Sequence, residues 1–433
     1  MDSGLYLIHV ILHLGLFLVG LGLIALFQPR TSRDRGALAW AFIVGYLLRL
    51  GAILLLHLFS SDGTFLLDDR GYDEQGRYLA HLIPSVSGTE DLSRQLGTQH
   101  IAYPLLVGAV YFLGGHSILS AKLLNAFFGA LLSPVVYWLA SEFENSDDNG
   151  LPRRAAWLAA LFPFDIAWSA FLLRDTILEL LFTFLVAATV ATYQRRSYKF
   201  ALIVLPTLYV INLFRFYAVF VWVAAMILAS VAWLARVLGS RNKRSSWPYF
   251  LTIVMVGASL FYALVPWFIQ QFQFARVLAV QLAGLGDGGD ATPLIFAFNL
   301  QFVSAFARAV FVYLLGPFPW VFWGNDDPIN YIFYPGMYVI FFLFPFFAVG
   351  LWKTIRTLEP VGVFLVATFI LHGLIEIYVF QGASRQRMMT DGVFILCAAV
   401  AWPMRQKFAP KTRFVYATLV VIAVGHTIVR AFG

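Results

Sequence analysis

The 433-residue sequence holds a single cysteine, Cys397, set inside an apolar run. No disulfide framework can form within the chain, and a lone thiol among apolar neighbours reads as core filling. Charge is scarce: Asp, Glu, Lys and Arg make up 12% of residues, against 60% hydrophobic. A soluble domain of this size cannot hide that much apolar surface. Lipid must be its solvent, and a chain in lipid satisfies its backbone only in helices or a closed barrel. Alternating apolar and polar positions are missing too. The apolar runs are long and continuous, which selects helices. Acids are fewer than bases, leaving a net charge of +7, which fits basic cytoplasmic loops rather than a nucleic-acid partner. The N-terminus has neither a basic leader nor a small-residue cleavage site, so its first run is expected to stay as a transmembrane helix. No internal repeat, low-complexity tract or soluble domain stands out.

At ~20 residues per crossing, about twelve spans are expected, near 5–27, 37–59, 118–141, 154–172, 175–193, 199–213, 214–237, 248–270, 331–351, 360–380, 389–404 and 413–431. Eighteen of the 30 Lys and Arg then fall in loops on one face. The positive-inside rule makes that face cytoplasmic. Two apolar segments, 101–115 and 302–323, are read as outer-face juxtamembrane elements, because letting either span would throw later basic loops outside. The expected fold is therefore all-α and polytopic, one integral membrane domain over 1–433. It has a first long outer loop at 60–117 and a second at 271–330, the latter carrying the turn-rich GLGDGGDATP. The first outer loop has seven acids against three arginines.

An outer-face active site cannot draw on ATP or nucleotide sugars, which are made in the cytoplasm. Its activated group must already be in the membrane, and a lipid-phosphate-linked sugar is the obvious source. Such a site needs a carboxylate base, cations for the departing phosphate and a greasy groove. LLDDRGYDEQGRYLAHL (66–82) supplies Asp68 and Asp69 just past the second span. Adjacent carboxylates can serve as base or metal ligand, and crowding raises the proton affinity of one of them. Tyr72 and Asp73 follow within helical reach. The ordinary alternative is a solvated acidic loop. LLRDTILEL (172–180) puts Arg174 and Asp175 at another outer turn, with Glu179 one turn deeper, where ionisable groups are costly and usually functional. Arg385 and Arg387 in QGASRQRMM, and Arg215 in NLFRFYAVF, are outer-face cations. Arginine binds phosphate through its fork of donors, though snorkelling to headgroups is the plain alternative. Weaker candidates are His9 with His13, Asp326 with Asp327, Asp165 and Glu376.

Together these residues resemble the glycosyltransferase C superfamily, with the protein O-mannosyltransferases and lipid A aminoarabinose transferases as its nearest members. DDRGYD (68–73) is similar to the family's acidic motif in the first outer loop. GGHSILSAKLLNAFFGALLSPVVYWLASEF (114–143) resembles its interfacial turn and following helix. LFPFDIAWSAFLLRDTILELLF (161–182) resembles its proline-containing span with a second aspartate, and QGASRQRMM its late arginine segment. Two registers fit the first motif, Asp68-Asp69…Tyr72 and Asp73-Glu74…Tyr78, so the catalytic acid stays open among Asp68, Asp69 and Asp73. The chain shows no large C-terminal soluble domain, so an oligosaccharyltransferase-like member is not expected.

The resemblance implies inverting transfer of a sugar from a polyprenyl-phosphate donor to a lipid, glycan or protein acceptor at the outer face of a bacterial cytoplasmic membrane. Asp68 or Asp69 would be the base, and Asp175 would position acceptor or metal. Tyr72, Asp73 and Arg174 would line the substrate. Arg215, Arg385 and Arg387 would take the leaving phosphate. A divalent cation, Mg or Mn on Asp68 and Asp69, stays open. Competing readings are a flippase for a lipid-linked saccharide, a polysaccharide polymerase or ligase of another class, and a scaffold without activity.

Overall fold

The structure is a computed structural model. It describes residues 3–24, 32–60, 63–82, 101–143, 150–239, 310, 313–314, 329–356, 359–380 and 384–404. These residues contain helices and no strands. In chain order the α-helices are α1 (Ser3–Ile24), α2 (Ser32–His57), α3 (Leu67–Leu82), α4 (Ala102–Gly114), α5 (Ile118–Ser141), α6 (Leu151–Leu161) and α7 (Pro163–Ser169). They continue with α8 (Asp175–Arg195), α9 (Tyr198–Phe214), α10 (Tyr217–Gly239), α11 (Ile329–Arg356), α12 (Pro360–Phe380) and α13 (Asp391–Ala401).

Among the described residues five helices are long and apolar enough to cross a membrane: Asp34–His57, Ile118–Ser141, Asp175–Arg195, Tyr217–Leu234 and Pro335–Thr354. The expected spans 5–27, 199–213 and 360–380 correspond to the apolar helices α1, α9 and α12. The expected span 154–172 is not one helix. Phe162 is extended (φ −69°, ψ 105°) before Pro163, which splits it into α6 and α7, as a proline does when it removes a helix donor and restricts the residue before it. The expected span 389–404 is an eleven-residue α13 between two 3-10 turns. Spans 248–270 and 413–431, and nearly all of the loop 271–330 with Asp326 and Asp327, lie outside the described residues.

Packing divides the chain into two units, Met1–Phe216 with Pro319–Gly350 and Asp391–Gly433, and Tyr217–Phe318 with Leu351–Thr390. In the first, α5 is the central helix, touched by α1, α2, α6, α7 and α8. Its burial on nearly every side fits its all-round apolar sequence. The juxtamembrane helices α3 and α4 pack together through two glycines. A Cβ on Gly76 would lie 2.4 Å from Val107, and one on Gly108 2.8 Å from Leu79.

One end of this unit is tied by ion pairs between loops of the basic face. Arg153 lies 3.2 Å from Asp34, and Arg195 2.6 Å from Glu142. The other end gathers the acidic segment and the α7–α8 turn. In the second unit α10 lies along α12, which also meets the turn Ser384–Thr390.

Candidate active site

The site begins with the first turn of α3. Side chains four apart share a helix face, so Asp68 goes with Tyr72, and Asp69 with Asp73. The two faces meet different surroundings.

Asp69 is fully buried. Its Oδ1 accepts from the Leu172 amide at 2.8 Å and its Oδ2 from the Phe65 amide at 3.2 Å, with Lys122 Nζ at 3.5 Å. Burial pushes the Asp69 carboxyl above its ordinary value, while Lys122 and the amides of Phe65, Leu172 and Leu66 pull it down. Lys122 donates to the Gly63 carbonyl at 2.7 Å and sits 5.5 and 5.8 Å from the Phe65 and Phe171 ring centres. One turn on, Asn125 donates to the Phe171 and Leu173 carbonyls at 2.8 and 2.9 Å and is bonded to Tyr103. Asp69, Lys122 and Asn125 thus hold the turn that leads into Arg174 and Asp175.

Asp73 is also buried. Its Oδ1 accepts from the Tyr111 hydroxyl at 2.6 Å and from His116 Nε2 at 2.9 Å, and Arg77 lies 2.9 Å from Oδ2. This ties α3 to α4 and to the loop before α5. Burial, then the bond to Asp73, pushes the Tyr111 phenol well above its ordinary value.

The other face carries the open chemistry. Asp68 is exposed. Tyr72 stacks edge-on against Tyr103, ring centres 4.8 Å apart. Burial pushes the Tyr72 phenol up. Arg174, Asp175, Asp68 and Arg215 all act on it electrostatically, the arginines downward and the carboxylates upward. All four charges are thus felt at one phenol. Arg215 and Asp175 are buried, with Nη1 and Oδ1 3.5 Å apart. Arg215 is placed by the end of α9, where its amide donates to the Ile211 carbonyl at 2.7 Å.

Deeper in the same unit lies a sealed cluster. Arg49, Asp165, Glu179 and Asp391 are each at most 1% exposed. Arg49 Nη1 donates to the Gly45 carbonyl at 3.0 Å, and Glu179 interacts with Asp165, Asp391 and Arg49. A Cβ on Gly129 would lie 2.5 Å from Arg49 Nε, so the glycine makes room for the arginine.

The late arginine segment falls in the second unit. Arg387 is fully buried and donates from Nη1 to the Leu314 and Tyr313 carbonyls at 3.1 and 3.3 Å. The Tyr313 hydroxyl bonds His372 Nδ1 at 3.0 Å and Thr390 at 3.2 Å. His372 Nε2 is 3.3 Å from Glu376, which also accepts from the Tyr217 hydroxyl. Glu376, which has no evident partner in sequence, thus has two. The side chains of Arg385 and His9 lie outside the described residues.

Sequence reasoning passes over Lys122, Asn125, His116 and Arg49. Each is a polar residue in or beside an apolar helix, and that cost is the signal that could have found them.

The first unit is all-helical among the described residues, with charged groups gathered at one end. No protein-family model matches the sequence, and no curated protein matches it. Among solved structures, the chain is similar to the Archaeoglobus fulgidus oligosaccharyltransferase in its apo form, with a TM-score of 0.51 at 15% identity. That match covers 91% of this chain and 54% of the other. It is also similar to the oligosaccharyltransferase AglB from the same organism in complex with an inhibitory peptide and a dolichol-phosphate. There the TM-score is 0.44 at 14% identity, covering 93% and 55% of the two chains. The chain spans about half the length of these structures. The likeness is one of fold, and the structures it falls on are oligosaccharyltransferases, the kind the sequence reading does not expect.

Proposed function

We propose that this chain is a membrane glycosyltransferase that takes a sugar from a polyprenyl-phosphate donor and joins it to an acceptor hydroxyl at the outer face. The observation that carries the reading is the exposed Asp68 on the helix face of Tyr72, together with the buried Arg215–Asp175 pair, at the end of α8 away from Arg195. Among these groups Asp68 is the exposed acid, and it is the one assigned as base.

Asp68 takes the proton of the acceptor hydroxyl as its oxygen attacks the anomeric carbon. The bond from that carbon to the phosphate oxygen breaks, the electron pair leaves on polyprenyl phosphate, and the configuration inverts. Arg174 and Arg215 face the charge that develops on the leaving oxygen. Asp175 holds Arg215 in place and helps orient the acceptor. Tyr72 forms the wall between base and cations. Asp69 and Asp73 are assigned as anchors of α3. Arg387, engaged with two carbonyls, is assigned to holding the second unit, and Arg385 is kept as a further phosphate ligand on its position in sequence.

Among the described residues the donor set does not fit a protein-built divalent metal site. Among the described residues no three His, Cys, Asp or Glu side chains gather closely enough to hold an ion. Asp69 is taken up by amides and Lys122, so no step is routed through a metal.

The test is sugar transfer by the purified chain in nanodiscs, using radiolabelled polyprenyl-phosphate sugars and envelope extract as acceptor. Loss in Asp68→Asn, with residual transfer in folded Asp69→Asn and Asp73→Asn, is expected. Donor binding without turnover in the wild type would sink the enzyme reading in favour of a flippase or scaffold.

A further inference from the structure

The end of the first unit away from Asp68 holds a second feature, which the transfer chemistry does not use. A cavity of about 500 Å³ opens between α5, α8 and α9. Its walls include Leu131, Val135, Trp138, Phe184, Phe200 and Ile203, and Arg195 lies at one end. From Leu180 to Arg195 it follows α8 for about 22 Å, at ~1.5 Å per residue, longer than the roughly 15 Å of one leaflet's hydrocarbon. The slot is therefore long enough to take an acyl chain and matches it in apolar character.

The mouth is built for an anion. Arg195 is clamped by Glu142, with Nη2 to Oε1 at 2.6 Å and Nε to Oε2 at 3.2 Å, and its guanidinium lies 5.3 Å from the Phe200 ring centre. Trp138 donates to the same carboxylate at 3.1 Å. Glu142 thus neutralises Arg195. Arg196 and Lys199, both exposed, carry the remaining charge, and among the described residues neither has an ion-pair partner. Arg196 sits in the left-handed region, φ 49° and ψ 41°, at the C-terminal cap of α8. Glycine is the usual residue there.

We propose that this crevice binds one acyl chain of an anionic phospholipid, whose head-group phosphate rests on Arg196 and Lys199. Charge complementarity decides for an anionic over a zwitterionic lipid, because among the described residues Arg195, Arg196 and Lys199 stand against Glu142 alone. The inference does not depend on the transferase reading.

The test uses the full chain in phosphatidylcholine nanodiscs, with phosphatidylglycerol added and retained lipid read by native mass spectrometry and by the thermal midpoint. Wild type is expected to retain phosphatidylglycerol over phosphatidylcholine and to gain thermal stability from it. The double variant Arg196→Gln/Lys199→Gln should bind phosphatidylglycerol roughly thirtyfold more weakly, two basic side chains' worth of attraction to an anionic head group. Ile203→Trp, which fills the slot from an exposed wall position, should lose both lipids. Sugar transfer should be unchanged in the double variant, so failure here and failure of the transferase reading are separable. Equal retention of the two lipids, or a double variant that holds phosphatidylglycerol like wild type, would overturn the proposal. So would displacement of phosphatidylglycerol by equimolar polyprenyl phosphate, which would give the crevice to the donor.

Discussion

Asp68 and Asp69 are neighbours in sequence with opposite surroundings. Asp68 is exposed and shares its helix face with Tyr72, a phenol on which two arginines act electrostatically. Asp69 is fully buried and bonded to two amides and a lysine. One residue along a helix is a turn of about 100°, enough to separate a solvent-facing acid from a structural one. Carboxylate chemistry is identical in the two; access to solvent divides them. An acid whose lone pairs are already filled has little left to offer a substrate proton.

The sharpest way to break this comparison is to neutralise each acid in turn. Asp68→Asn should lower transfer by about 10²–10⁴-fold, the usual worth of a positioned base, with the thermal midpoint unchanged in the same preparation. An active, unaltered Asp68→Asn would return the base to Asp69 or Asp73. Asp69→Ala should do the reverse, leaving Lys122 buried without its carboxylate. That costs about 3–5 kcal/mol and should show first as a fall in the thermal midpoint.

Next in size is Asn125→Leu, which keeps the volume but removes donors from the Phe171 and Leu173 carbonyls. A loss of about 1–3 kcal/mol per unsatisfied buried group is expected. Transfer should fall with it, because the turn that sets Arg174 and Asp175 loosens. Arg215→Lys keeps the charge opposite Asp175 but not the fork. It should slow transfer by roughly tenfold, about 1.4 kcal/mol, with little change in stability.

The smallest expected effect is one of pH. Burial raises the folded-state value of Asp69 above 3.8. Its contribution to stability is therefore complete below that unfolded value and is lost as pH rises through the folded one. The gap in thermal midpoint between wild type and Asp69→Asn should narrow as pH rises across that window. A gap that widens would mean Lys122 and the amides outweigh burial.

Much of the architecture was legible before any coordinates. Long apolar runs gave helices, and they coincide with α2, α5, α8, α10 and α11. The pairing of an acidic loop with the Arg174–Asp175 turn was also readable, because charge is expensive in lipid and stands out against it. The break at Phe162 was less so: proline is tolerated inside some membrane helices, as Pro134 is within α5, and only the packing around Pro163 separates the two cases. Lys122 and Asn125 were passed over because a single polar residue in an apolar run looks like an exception until its partners are seen.

The sequence by itself determined solvent, helix content and the face on which acids gather, because these follow from hydrophobicity and from where charges are placed along the chain. Which acid is open and which is spent was decided by tertiary structure. Burial and hydrogen-bond partners for Asp69 come from Leu172 and Lys122, residues 103 and 53 positions away, and no local pattern at Asp68-Asp69 encodes which of the two will meet them.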